Sequence, residues 1–217
     1  MELSVAQIQK VENYLSQKGF EYLDLKIEVL DHMIFDIETE MSKNISFQNA
    51  FKIAILKWER YFKESNSFYF GMFYTSSKIV IQKAKKVFQF FYFIYLSAYL
   101  LPLVFLKLFP ITLSGSSIYS LNSFITLSST ASFIYIFYIA LKLKTSKLKT
   151  TYSFIIKTQY LGSIFLILGG VIGAIFEDSG KMNPVFTGFV LAGYSVTFIC
   201  YHFYKKHKEV ILKYKIS

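Results

Sequence analysis

Apolar residues along this chain follow two patterns, and the change comes near residue 65. Before it, they recur every three or four positions, the spacing of one helical face. Ser4 with Gln7 forms a capping box, and Ile8, Val11 and Leu15 make the stripe of a first helix that Gly19 terminates. A second helix starts near Glu21 and carries Leu23, Ile27, Leu30, Ile34, Ile37 and Met41, which predicts one narrow buried seam. A third opens after Ser46 and presents Phe47, Phe51, Ala54, Trp58 and Tyr61. Three amphipathic helices with short connections predict a compact bundle over residues 1–64. Its size lies close to the lower limit for independent stability.

Beyond residue 86 the apolar residues form continuous blocks at about 87–109, 118–141, 159–176 and 184–204. Each approaches the roughly 20 residues that cross a bilayer core of about 30 Å. Blocks without every-second-residue alternation predict helices rather than barrel strands, because lipid offers backbone groups no partners. The expected fold class is therefore all-α: four transmembrane helices plus a cytoplasmic N-terminal three-helix bundle. Pro102 predicts a kink in the first span, and Pro184 a first-turn proline behind Asn183 as cap. The start MELSVAQIQKVENYL has neither the basic nor the apolar region of a secretory signal.

Charge sharpens the division. Residues 1–64 carry 8 Lys+Arg against 11 Asp+Glu, net −3, whereas residues 65–217 carry 16 against 3, net +13. No acid occurs from Ser65 to Phe176. Lysines cluster before the first span (Lys78, Lys83, Lys85, Lys86), in the second connection (Lys142, Lys144, Lys147, Lys149, Lys157) and after the fourth span (205–217). Under the positive-inside rule, both termini face the cytoplasm of a bacterial inner membrane, with its anionic leaflet as one partner. The segment SFYFGMFYTSSKIVIQKAKK (67–86), aromatic first and basic afterwards, reads as the main part of an interfacial linker over 65–86. A second interfacial segment is expected over 142–157, with Tyr152, Phe154 and Ile155 touching lipid or protein.

The runs YLDLKIEVLDHMIFDIETEM (22–41) and SFQNAFKIAILKW (46–58) carry a resemblance. They look like the small helical N-terminal head of uncharacterised multi-pass membrane proteins of Bacteroidetes type, and more distantly like permease-prefix and HAAS-type domains. The resemblance implies a cytoplasmic helical domain joined to membrane helices, sometimes associated with transporters or regulatory systems. It offers no catalytic residue to carry over.

Candidate chemistry is sparse. No phosphate loop, nucleophile elbow, zinc-protease motif or paired cysteines occur, so a non-catalytic role without cofactor is expected. Glu28, His32 and Asp36 lie four apart on one helix face, and with Trp58 they are the expected protein-binding group. Three ligands on a single helix argue against a metal site. The head is net acidic, which argues against nucleic acid. In the second span Asn122, Thr126 and Ser129 share a face, which either packs or lines a polar path. Gly169 with Gly173, and Gly188 with Ala192, predict close helix packing within the chain or between two copies. The favoured reading is an accessory, adaptor or regulatory subunit whose head docks a protein partner. A small oligomeric channel or transporter is the alternative.

Overall fold

The computed structural model describes residues 2–18, 20–113, 115 and 117–215, so the helix-ending role expected of Gly19 lies outside the described residues. Among the described residues the fold is all-α apart from one small strand pair. The chain divides into two compact units: Met1–Lys86, Lys147–Phe154 and His207–Ser217 form one, and Val87–Ser146 and Ile155–Lys206 the other.

In the first unit, helix α1 (Val5–Gln17) starts as its capping box predicts. The Gln7 amide donates to the Ser4 hydroxyl and the Ser4 amide to the Gln7 side chain. Helices α2 (Leu23–Met41) and α3 (Phe47–Phe62) follow. Val11, Leu15, Leu25, Val29, Met33, Ile37, Ala50 and Ala54 form the core. The expected seam on α2 is corrected here. Full burial falls on Leu25, Val29, Met33 and Ile37, while Leu23, Ile27, Leu30, Ile34 and Met41 are half-buried. Helix α2 packs against both α1 and α3, so its buried face is wide, and the three-four spacing traced only one edge of it. The alanines of α3 let it approach, and its aromatics pack around them: Tyr14 meets Phe51 edge-on, and Phe20 meets Phe62.

The first part of the linker folds as a hairpin. Strands β1 (Glu64–Ser67) and β2 (Gly71–Ser77) pair antiparallel around a 3-10 turn at Phe68–Phe70, and Gly71 takes the positive φ that closes the turn. Helix α4 (Lys78–Leu108) starts directly after β2.

Among the described residues, four helical segments are long and apolar enough to cross a membrane: Lys78–Leu108, Ser117–Thr145, Thr151–Ile172 and Pro184–Tyr214. The 31 residues of α4 reach about 46 Å, more than a bilayer core needs. In the second unit, large apolar side chains face outward: Phe90, Leu108, Phe124, Leu127 and Ile172 are each at least two-thirds exposed. Helices α5 (Ser117–Thr145) and α8 (Pro184–Lys215) match the expected second and fourth spans, and extend beyond them. Asn183 caps α8 as predicted, its side-chain oxygen accepting from the Val185 and Phe186 amides.

The third span departs most from expectation. It begins earlier, with α6 (Thr151–Thr158), and passes through a 3-10 turn (Tyr160–Ser163) and a single α-turn, α7 (Ile164–Leu166). A π-helical stretch (Ile167–Ile172) then ends it short of 176. Its glycines sit where neighbours press closest. A β-carbon on Gly170 would lie 2.0 Å from the Ser129 hydroxyl, and one on Gly173 would lie 2.5 Å from the Phe186 ring. A β-carbon on Gly169 would meet Phe189 and the Phe186 carbonyl, and one on Gly188 the backbone of Tyr99. The first and third connections also pair, the Leu113 amide donating to Gly180 and the Met182 amide to Ile111.

Candidate functional site

Three polar places are assembled, and the first is the outer face of α2 and α3. The short 42–46 connection sets these helices antiparallel, bringing Asp36 beside Lys57 and Trp58. The Lys57 ammonium donates to one oxygen of Asp36 at 2.6 Å, and the Trp58 indole to the other at 2.8 Å. The His32 ring stacks on Trp58, with centres 6.3 Å apart. Three of the four residues expected to bind a partner therefore form one cluster, held by its own internal bonds. Glu28 instead receives Lys83 of α4 at 2.6 Å.

The periodic reading passed over the neighbours of that cluster. Phe35 is 67% exposed, Leu56 72% and Ile53 43%. Stepping back one residue from Asp36 and from Lys57 turns each side chain by about 100°. On antiparallel helices both turns lead to the same side, away from the core, so Phe35 and Leu56 share the outer face. Their signal in the sequence was apolar residues standing off the stripe.

The second place joins the start of α2 to the second connection. Glu21 pairs with Lys149, and the Leu23 amide donates to the Lys149 carbonyl at 2.9 Å. The Thr151 amide donates to Asp24 Oδ1 at 2.8 Å, while Lys83 lies 3.8 Å from Asp24 Oδ2. That second oxygen and the Thr151 hydroxyl are buried without a hydrogen bond. Beside them, Thr150 shares a hydrogen bond with His207 Nδ1 at 2.9 Å. Burial pushes the Tyr22 phenol above its ordinary range, opposed by the Ser76 hydroxyl that donates to it. Phe154, expected as a lipid or protein contact, is buried against the rings of Tyr22 and Phe70, and Ile155 is fully buried. Tyr152 is half-buried.

The third place is the polar face of α5, which splits. Asn122 clamps the chain where the third span has ended: its amide donates to the Phe176 carbonyl at 2.8 Å, and its oxygen accepts from the Phe176 amide at 3.0 Å. Ser129 is buried against Gly170 and within reach of the Tyr194 hydroxyl at 3.4 Å. Thr126 keeps an open side, and with Asn122, Ser123 and Thr130 it lines an open groove of about 530 Å³.

Comparison of the chain with protein-family models, with curated proteins and with solved structures gives no match.

Proposed function

We propose that this chain is a non-catalytic accessory or regulatory subunit of a bacterial inner membrane, with both termini cytoplasmic, whose helical head docks a partner protein. The carrying observation is the outer face of α2 and α3. Two large apolar side chains, Phe35 and Leu56, stand exposed beside a cluster already stiffened by its own hydrogen bonds. Large exposed apolar side chains rimmed by charge are the usual mark of a protein contact. The orientation is supported by the lysine distribution. It is also supported by the grouping of the head, the second connection and the C-terminal end in one unit, while the first and third connections pair with each other.

The test is native mass spectrometry of tagged protein released gently from its host membrane. Wild type should carry a stoichiometric second protein. Phe35→Ser with Leu56→Ser should lower its recovery about tenfold or more, a loss of at least about 1.4 kcal/mol. A partner retained undiminished by the double variant removes the docking face.

A second reading, a small channel or transporter, draws on the groove lined by Thr126. It requires that purified protein in liposomes pass ions or solutes, and that Thr126→Val alter that flux.

A further inference from the structure

The hairpin after the head differs between its two ends. Its base is polar, with Glu64, Ser65 and Asn66 on β1 and Thr75, Ser76 and Ser77 on β2. Its turn end is apolar and open to solvent: Phe68 is 83% exposed, Met72 79% and Phe73 91%. Met72 and Phe73 are adjacent on one strand, so they point to opposite faces of the ribbon. A single protein surface covers one face of such a tip. A fluid apolar phase covers both.

Two contacts fix where the turn lies. Phe70 is buried, its ring edge-on to Phe154 at 5.3 Å, and the Lys85 ammonium sits 5.2 Å from the centre of the Tyr69 ring. The pairing of Glu64 with Ser77 and of Ser67 with Gly71 holds the polar base at the start of α4. The turn therefore runs along α4 to Lys85, about two helical turns further on. Lys86 follows, and the apolar run of the first span opens at Val87. Thus the turn lies beside the basic residues of α4 that directly precede the apolar run in the chain, and on the membrane-spanning reading such residues meet the headgroups. Lys78, Lys85 and Lys86 are exposed there, and no acid occurs between residues 65 and 86. That charge suits anionic headgroups.

We propose that Phe68, Met72 and Phe73 form a wedge that inserts between the headgroups of an anionic leaflet and ties the head unit to lipid. The proposal rests on the reading of this chain as membrane-spanning. The experiment uses full-length protein carrying Cys200→Ala and one new cysteine at Asn66, Met72 or Phe73, labelled with the fluorophore NBD. It is reconstituted into nanodiscs of phosphatidylcholine and phosphatidylglycerol. Where Cys200→Ala impairs folding, the buried native Cys200 is kept and the label on unsubstituted protein is subtracted.

The expected result is strong quenching at positions 72 and 73 by lipid spin-labelled near the headgroup, weak quenching there by aqueous iodide, and the reverse at 66. Iodide quenching at 72 and 73 equal to that at 66 overturns the wedge. Protection from both quenchers shows protein on the tip and overturns it equally. Failure of the protein to enter nanodiscs removes the membrane reading and the wedge with it, whereas entry with a water-exposed tip removes the wedge alone.

Discussion

The two units differ most in their surfaces. The head gathers branched and straight apolar side chains inward, Val11, Leu15, Val29, Met33 and Ile37, and leaves pairs such as Lys18 with Glu59 on its surface. The second unit also buries apolar side chains, among them Ile139, Leu166, Ile199 and Phe203, but it turns Phe90, Leu108, Phe124 and Leu127 outward as well and packs glycines and Ser129 between its helices. One rule covers both: each surface takes the groups its surroundings solvate. Water around the head makes apolar area the cohesive term. Around the spanning helices lipid removes that term, so close backbone approach and satisfied polar groups must replace it.

The sharpest way to break this comparison is a charge in the head core. Met33→Asp places a carboxylate at a fully buried position and should cost more than about 4 kcal/mol. Limited proteolysis should then cut within residues 1–64 while 87–206 stay resistant; an intact head would refute the assignment of its core. Next comes Gly170→Val, whose β-carbon would collide with the Ser129 hydroxyl, for a loss of about 1–3 kcal/mol in detergent-melting experiments. Pairing it with Ser129→Gly should recover part of that loss. Additive damage would mean the two residues are not in contact.

A pair of exchanged side chains probes the buried polar groups. Asn122→Asp removes the donor to the Phe176 carbonyl and should cost about 2 kcal/mol, with faster hydrogen exchange around residue 176. Asp24→Asn keeps an acceptor for Thr151 and gives the unbonded oxygen's place to an amide, so its cost should stay below about 1 kcal/mol. Equal costs would erase the distinction between a satisfied clamp and a half-satisfied one. Smallest is Lys18→Ala, which removes a 3.6 Å surface pair with Glu59 and should shift stability by less than about 0.5 kcal/mol.

Local signals carried much of the fold. Ser4 with Gln7, and Asn183 with Pro184, marked helix starts to the residue, because a cap is chemistry between near neighbours. The apolar blocks located four spans for the same reason. Three features were not legible. The hairpin over 64–77 lacks a clear alternation, and its turn depends on Gly71 adopting a positive φ. The wide face of α2 reflects two neighbours, which spacing within one helix does not reveal. The end of the third span depends on Asn122, 54 residues before Phe176. At the candidate site, the sequence brought out Asp36, His32 and Trp58 but not that they bind one another, and it passed over Phe35 and Leu56. Apolar residues off the stripe are visible to a periodicity argument only as noise.

The bond between Asp24 and the Thr151 amide has a consequence during synthesis. The two residues are 127 positions apart, and His207 follows Thr150 by another 57. At about 5–20 residues per second, the Asp24 carboxylate waits on the order of ten seconds after leaving the ribosome before its partner exists. Two potential spans must be translated and placed in that interval. The three-helix head is thus made first and completed last, and a nascent chain arrested before residue 149 displays Asp24, Tyr22 and Glu21 without their partners from the second connection.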